Sequence, residues 1–175
     1  QDPTLPQRIK RCVVMGAVAD HIGNMNPVAE FNIWVDPHAA QEVLDSGLAV
    51  ELVGWDISRH YAVIDDITAA RLRAIGTPLA EFCIDIQGTV LQFCHDATKL
   101  DGFDLPDPIA MAYAIDATIA TATDRLHCAV ETESTLTRGM VVMDRLHFCG
   151  GTPNALVVLA ADHDRFVEML VEAVR

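Results

Sequence analysis

The chain has 175 residues and carries 12 Lys and Arg against 25 Asp and Glu, a formal net charge of −13 at pH 7. This charge argues against nucleic acid as a partner, because binding a phosphate backbone depends on clustered Lys and Arg. The sequence also contains no run that approaches the ~18 consecutive apolar residues of a membrane-spanning helix. A hydrophobic fraction of 51% predicts one globular domain rather than a disordered chain.

The cysteines and the first residues indicate the compartment. The five cysteines are scattered and mostly flanked by apolar residues, which predicts reduced, buried thiols rather than disulfides; they are Cys12, Cys83, Cys94, Cys128 and Cys149. Reduced thiols are typical of a cytosolic compartment, so we expect a cytoplasmic protein. The start of the chain lacks the basic region and the apolar segment of a signal peptide. It also lacks an initiator Met, and we expect the sequence to begin inside a longer natural one.

The first predicted elements form a strand, a helix and a second strand. Residues 12–16 are a short apolar run closed by glycine, which is typical of a buried strand. Residues 36–47 begin with Asp36 and Pro37 and end with Gly47, a pattern that predicts a helix with its N-cap and its stop signal. Residues 48–54 predict a second strand. This order favours a βαβ unit and a parallel sheet.

The rest of the chain continues to alternate helices and strands. Gly76 stops a predicted helix at residues 67–75, and Thr77 with Pro78 starts a longer one. Asp107 repeats the Asp-Pro helix opening. We then expect strands at residues 126–131, 139–145 and 155–160 and a C-terminal helix from about Asp162. The whole pattern predicts an α/β fold with a mainly parallel sheet flanked by helices.

The densest polar group in the sequence lies between the first strand and the first helix. It consists of Asn24, Asn26, Glu30 and Asn32. Amides and a carboxylate supply both donors and acceptors, which suits sugar hydroxyls because each hydroxyl needs both. A second interpretation competes with this one: Asn, Gly and Pro are ordinary turn formers, and such a segment taken alone is more often a loop than a binding site.

Asp107 also has two interpretations. As a helix N-cap it would accept hydrogen bonds from free backbone N–H groups. As a metal ligand it would need further oxygen donors, because calcium takes ~6 to 8 of them. The acidic run from Asp96 to Asp107 lacks the spacing of an EF-hand, and no two histidines have the spacing of a chelating pair.

Four segments together resemble one protein family. Residues 13–16, 23–40, 105–110 and 135–139 read VVMG, GNMNPVAEFNIWVDPHAA, LPDPIA and TLTRG. In this order and spacing they resemble the inosine-uridine preferring nucleoside hydrolases, and the NPVAEFN segment followed by Asp-Pro is highly specific. The resemblance covers essentially the whole chain, but it corresponds to the later, C-terminal portion of the family fold.

The resemblance implies an activity and a set of site residues. Members of the family are calcium-dependent N-ribohydrolases that cleave a ribonucleoside into free base and ribose, a reaction of purine and pyrimidine salvage. By resemblance, Asn24, Glu30 and Asn32 hold the ribose hydroxyls, Met15 lies in the stretch that lines the sugar pocket, and Asp107 is a calcium ligand.

The sequence departs from the family pattern in two ways. The family's N-terminal calcium motif, DxDxGxDD, has no counterpart, so we expect residues 1–175 to form a single partial domain without most metal ligands or the general base. Pro106 occupies the position where many members carry the His that is the proposed general acid. His95, from a region that lines the base pocket in relatives, is a candidate substitute, and an exposed helical His is the competing interpretation.

These observations lead to two functional hypotheses. In the first, the complete protein hydrolyses ribonucleosides with calcium, while the isolated chain is inactive and binds calcium weakly because Asp107 offers at most two oxygens. In the second, the protein is a degenerate hydrolase-like protein that binds a sugar or nucleoside, or has a structural role, without catalysis. An unpaired strand edge and exposed apolar surface in the partial sheet predict a homo-oligomer, or a chain that needs its missing half, rather than a stable monomer. Base preference stays open.

Overall fold

The computed structural model describes residue 2, residues 4–20 and residues 22–175. The helices of the described residues are α1 (Leu5–Arg8), α2 (Phe31–Val35), α3 (Pro37–Asp45), α4 (Trp55–Tyr61), α5 (Asp66–Arg73), α6 (Pro78–Asp85), α7 (Gly88–Phe93), α8 (Pro106–Ile115) and α9 (His163–Ala173). The strands are β1 (Cys12–Met15), β2 (Val50–Val53), β3 (Val63–Ile64), β4 (Phe103–Asp104), β5 (Ala120–Leu126), β6 (Cys128–Val130), β7 (Val141–Met143) and β8 (Ala155–Ala161). Across these residues, no helix is long and apolar enough to cross a membrane.

The chain divides into two compact units. The first contains the described residues up to Ile57 together with Ala120–Ala161, and the second contains Ser58–Ile119 and Asp162–Arg175. Helix α4 begins in the first unit and continues into the second.

The first unit is built on a four-stranded sheet in the order β1-β2-β8-β5. Strand β2 runs parallel to both β1 and β8, whereas β5 runs antiparallel to β8. Helix α3 connects β1 to β2, so the predicted βαβ unit and the mainly parallel sheet are both confirmed. The parallel register aligns Val14 with Leu52 and Leu52 with Val157, which places their apolar side chains in one core.

Helix α3 begins and ends where the sequence predicts. The carboxylate of Asp36 accepts a hydrogen bond from the backbone N–H of Ala39 at 3.0 Å, and Pro37 occupies the first helical turn. Leu44 is buried on the face of the helix that packs into the core. The remaining buried members of that core are Ala17, Ile33, Val50, Leu52, Leu126, Cys128, Val130, Val141, Ala155 and Val157.

Strands β6 and β7 pair as an antiparallel hairpin in the first unit. The predicted strand at residues 126–131 therefore divides at His127, because Leu126 ends β5 in the main sheet and Cys128 begins the hairpin. Residues 120–125 of β5 were not predicted as a strand. Thr and charged residues dominate this stretch, and most of its side chains are exposed, so it lacks the apolar run of a buried strand.

The second unit contains the short β3–β4 pair and helices α5 to α9 with the second half of α4. The predicted long helix after Thr77 is wrong, because it is divided into α6 and α7 at Ile86 and Gln87. The C-terminal helix is confirmed: Asp162 is the N-cap of α9, and its carboxylate accepts from the backbone N–H of Arg165 at 3.0 Å.

Asp107 is not the N-cap of α8, so that interpretation is wrong. The helix begins one residue earlier, at Pro106, and Leu105 occupies the N-cap position without a side-chain hydrogen bond. Proline suits the first helical position because its backbone angle is fixed and its missing N–H has no partner to lose there. Asp107 therefore lies inside the first turn, with its side chain exposed.

The cysteines differ in burial. All five are free thiols, and Cys94 and Cys128 are buried as expected. Burial raises the pKa of the Cys128 thiol to about 11, so it stays protonated at neutral pH. Cys12 and Cys83 are half-buried and Cys149 is exposed, so the prediction of buried thiols is wrong for Cys149.

Candidate functional site

The carboxyl end of β1 carries the candidate site of the first unit. Glu30 is the N-cap of α2, and its carboxylate accepts from the backbone N–H groups of Asn32 at 2.9 Å and Ile33 at 3.4 Å. It also accepts from the backbone N–H of Ala17 at 3.2 Å, just after β1. Glu30 is only 3% exposed. The carboxylate therefore fixes the start of α2 against the end of the strand.

Asn32 and Met15 lie next to this carboxylate. The side-chain amide of Asn32 donates toward the backbone carbonyl oxygen and the sulfur of Met15, both at 3.3 Å. Asn32 is exposed, and Met15, the last residue of β1, is half-buried. The structure thus brings together Met15, Glu30 and Asn32, three of the residues selected from the sequence.

Asn24 lies in a tight turn just before Glu30. The backbone N–H groups of Asn24 and Met25 both donate to the carbonyl of Ala29, at 3.0 and 3.2 Å. Only glycine fits at position 23, because a Cβ there would lie 2.2 Å from the carbonyl oxygen of Asn26. The side chain of Asn24 is exposed and has no hydrogen-bond partner among the described residues, so its amide is available to a ligand.

Asp56 is a further candidate that was not selected from the sequence. Its carboxylate accepts from the backbone N–H of Ala19 at 3.1 Å, and the side chain is 3% exposed. Asp56 follows β2 after two residues, and ligands of parallel sheets bind in the crevice at the carboxyl ends of the strands. An acidic residue a few positions after a buried parallel strand was the signal that could have identified it.

His95 and Asp107 belong to the second unit. His95 lies in a single π-helical turn, Cys94–Thr98, rather than in an α-helix, and its ring Nδ1 is 2.9 Å from the carboxylate of Asp96. The side chain is exposed, as the competing interpretation expected. Asp107 is exposed in the first turn of α8.

A buried polar network holds the π-turn that carries His95. The carboxylate of Asp104 accepts from the Ser58 hydroxyl at 2.7 Å and from the Cys94 thiol at 3.6 Å. Burial is the main cause that raises the pKa of Cys94, which keeps the thiol protonated as a donor. The guanidinium of Arg59 donates to the hydroxyl of Thr98 at 2.6 Å. These hydrogen bonds hold Cys94 and Thr98, the first and last residues of the π-helical turn.

Most of the chain matches the model of one protein family. The model described as inosine-uridine preferring nucleoside hydrolase matches residues 1–168. The chain belongs to this family. The match confirms the predicted resemblance to this family and agrees with the predicted α/β fold class.

Curated relatives of the chain are named as ribonucleoside hydrolases. The pyrimidine-specific ribonucleoside hydrolase RihA of Salmonella arizonae is 37% identical over 174 residues, which cover 99% of this chain and 55% of the relative. The protein of the same name from Klebsiella pneumoniae is 37% identical over 171 residues, or 97% of this chain and 54% of the relative. The chain thus spans about half the length of the curated relatives it matches.

Solved structures give the same fold. A purine-preferring ribonucleoside hydrolase from Gardnerella vaginalis has a TM-score of 0.85 at 26% identity, covering 98% of this chain and 54% of that one. A plant nucleoside hydrolase has a TM-score of 0.86 at 24% identity, covering 99% and 56%. At that lower identity the likeness supports the fold alone.

The described residues of the chain do not fit a calcium ion by themselves. Within residue 2, residues 4–20 and residues 22–175, no three His, Cys, Asp or Glu side chains come together as a set of metal ligands. Asp107 can offer two oxygens, whereas calcium takes ~6 to 8.

Proposed function

We propose that the protein containing this chain hydrolyses the N-glycosidic bond of ribonucleosides. In this reaction water adds to the anomeric carbon of ribose, the carbon–nitrogen bond breaks, and the base leaves with a proton. The observation that carries the proposal is the buried Glu30 carboxylate, fixed beside Asn32 at the carboxyl end of β1 in a chain of the nucleoside hydrolase family.

The sugar is held by the residues of the first unit. Asn24 and Asn32 present exposed amides, which supply the donors and acceptors that ribose hydroxyls need. Glu30 orients Asn32, because its carboxylate binds the backbone N–H of that residue. Met15 lines the sugar pocket. Three backbone N–H groups fix the Glu30 carboxylate, so the site is organised before substrate binds.

His95 and Asp107 are the proposed residues for the leaving base and for the metal. We assign proton donation to His95, because Pro106 occupies the family position of the general acid and the His95 side chain is exposed, with its Nδ1 beside the Asp96 carboxylate. Calcium dependence belongs to the proposal for the whole protein, with Asp107 as a ligand contributed by this chain. The isolated chain is expected to bind calcium weakly.

The names of the relatives support ribonucleosides as the substrate class without fixing the base. The two relatives at 37% identity are named pyrimidine-specific, whereas the structural neighbour at 26% identity is named purine-preferring. We therefore propose a ribonucleoside as substrate, a reaction of nucleoside salvage in the cytoplasm, and no nucleic-acid partner for a chain of net charge −13.

The test is release of reducing sugar by the natural gene product that contains this chain. Inosine, uridine, adenosine and cytidine are supplied with and without calcium. Asn24→Ala and Asn32→Ala are expected to reduce kcat/KM by about 100-fold each, since each loses hydrogen bonds to ribose in the transition state. Their melting temperatures should stay close to wild type, because both side chains are exposed.

Gln7→Ala is the matched control, because Gln7 is an exposed amide on α1, which precedes the first residue of β1. It should leave kcat/KM unchanged. Absence of sugar release from all four nucleosides with calcium present would refute the hydrolase proposal. If the same protein bound a nucleoside without turnover, the degenerate binding protein would be the correct alternative.

A further inference from the structure

The loop between β6 and β7 contains the Thr137-Arg138-Gly139 motif, to which the proposed function assigns no role. This loop is braced by its own hydrogen bonds. The carboxylate of Glu131 accepts from the backbone N–H groups of Glu133 at 2.8 Å and Ser134 at 3.0 Å. The backbone carbonyl of Glu131 accepts from the N–H of Gly139 at 2.8 Å. Hydrogen bonds within the loop therefore hold its backbone in a defined conformation.

One contact joins this hairpin loop to the turn that precedes Glu30. The side-chain amide of Asn26 donates to the backbone carbonyl of Arg138 at 2.9 Å, across 112 residues of sequence. The side-chain oxygen of the same amide accepts from the N–H of Val28 at 3.0 Å. Both polar atoms of Asn26 are thus committed to structure, one to its own turn and one to the hairpin loop.

A second contact joins the hairpin loop to the helix that follows Glu30. Gly139 has a φ of +81°, and a Cβ there would lie 2.6 Å from the Cα of Trp34 in α2. The absence of a side chain lets the loop backbone lie directly against the helix. The hairpin loop therefore touches the polypeptide on both sides of Glu30, the turn before it and the helix after it.

We propose that Asn26 and Gly139 are positioning residues that couple the hairpin loop, residues 131–139, to the sugar-binding segment. They act through Glu30 and Asn32, and neither touches the substrate. The inference rests on the proposed function, because it gives that site its support. This role accounts for the position of Asn26 between Asn24 and Glu30, because the Asn26 amide holds the turn in place.

The first test measures hydrogen exchange and does not depend on activity. In Asn26→Ser the hydroxyl can still accept from Val28, but the donor to Arg138 is lost. The N–H groups of Asn32 and Ile33, which donate to Glu30, should exchange about tenfold faster than in wild type. Amides of β2 and β8 should be unchanged. Unchanged exchange at Asn32 and Ile33 would overturn the coupling.

The second test measures the kinetics of the natural gene product with the same variant and with Gly139→Ala. Each is expected to raise KM about tenfold and to change kcat less, because the sugar ligands are displaced rather than removed. Gly150→Ala is the matched control: its φ of +65° imposes the same backbone strain, but nothing lies within 4 Å of the added Cβ. It should leave KM unchanged.

The outcomes separate this inference from the proposed function. If wild type releases no sugar, the proposed function fails, while hydrogen exchange still tests the coupling. If wild type is active and the exchange at Asn32 accelerates without a rise in KM, the contacts are structural and the positioning role is refuted. If Gly139→Ala does not fold, Asn26→Ser decides by itself, since its exchange pattern distinguishes local loosening from global unfolding.

Discussion

Ala17 adopts a backbone conformation that is uncommon for a residue with a side chain. Its φ is 70°, in the left-handed region, and the residue is 1% exposed. Its N–H donates to Glu30, and its carbonyl accepts from the N–H of Trp55 at 3.0 Å. Two neighbouring elements thus hold the peptide on either side of Ala17. Strained residues of this kind concentrate at functional sites, and Ala17 lies at the proposed sugar site.

The first prediction follows from this backbone strain. Ala17→Val should destabilise the protein by more than about 2 kcal/mol, because β-branched residues strongly resist positive φ and the position is buried. Ala17→Gly should change stability by less than about 1 kcal/mol, since relief of strain offsets the lost methyl group and the extra chain entropy. Urea unfolding of both variants measures the difference.

Ala49→Val is the control for Ala17→Val. Ala49 is exposed directly before β2, so the added methyl groups should have little effect there. Equal stability of Ala17→Val and Ala49→Val would contradict the strain at Ala17.

At the scale of single elements, capping residues fix the boundaries of several helices. The side chains of Asp36, Asp65, Thr77 and Asp162 each accept from a backbone N–H in the first turn of the helix that follows. Each satisfies a donor that would otherwise lack a partner. Local chemistry therefore determines where these helices begin.

The second prediction concerns the acid stability of the β6–β7 hairpin loop. The backbone N–H groups of Ser134 and Glu133 bind the carboxylate of Glu131 and lower its pKa from the ordinary value. A lowered pKa contributes stability above the ordinary pKa, and this contribution is lost as the pH falls through the folded value. Glu131→Gln should therefore be less stable than wild type at pH 7, and the difference should shrink below about pH 4.

Urea midpoints at pH 7 and at about pH 3 measure this effect. Glu172→Gln, an exposed glutamate near the end of α9, is the control and should differ from wild type equally at both pH values. If Glu131→Gln is less stable than wild type by the same amount at both pH values, the carboxylate charge does not cause the loss of stability.

At the scale of the whole molecule, the sheet has an open edge among the described strands. Strand β1 is the first in the order of the four-stranded sheet, so one side of its backbone has no neighbouring strand there. The first unit also exposes large apolar side chains, notably Leu136, Leu146 and Phe148. Unpaired edges and exposed apolar surface favour association, whereas a net charge of −13 opposes it.

The third prediction is that the 175-residue chain forms a homo-oligomer through the β1 edge. Light scattering should give a mass above the 19.1 kDa of one chain, and added salt should increase association because it screens the repulsion. Val13→Lys puts a charge on the edge strand and should lower the mass.

Val142→Lys is the matched control, because Val142 is an exposed valine of β7, and this variant should associate like wild type. A monomer at every concentration and salt level would refute the edge-pairing hypothesis.

The sequence by itself determined the local features of this protein and its family. Apolar runs, cap residues and terminal glycines placed β1, α3 and β2, because each signal lies within a few residues of the element it forms. The segment from Gly23 to Ala40 indicated the family, and it also contained Asn24, Glu30 and Asn32. Such patterns are short-range, and one sequence suffices to recognise them.

The tertiary structure decided which distant segments meet. It placed β8 between β2 and β5, paired Asn26 with Arg138 across 112 residues, and put the Glu30 carboxylate on the N–H of Ala17. These contacts depend on burial and on the closure of long loops among competing pairings, which no local pattern encodes. The sequence therefore suggested the proposed sugar-binding residues, whereas the contacts that support them became visible only in the folded chain.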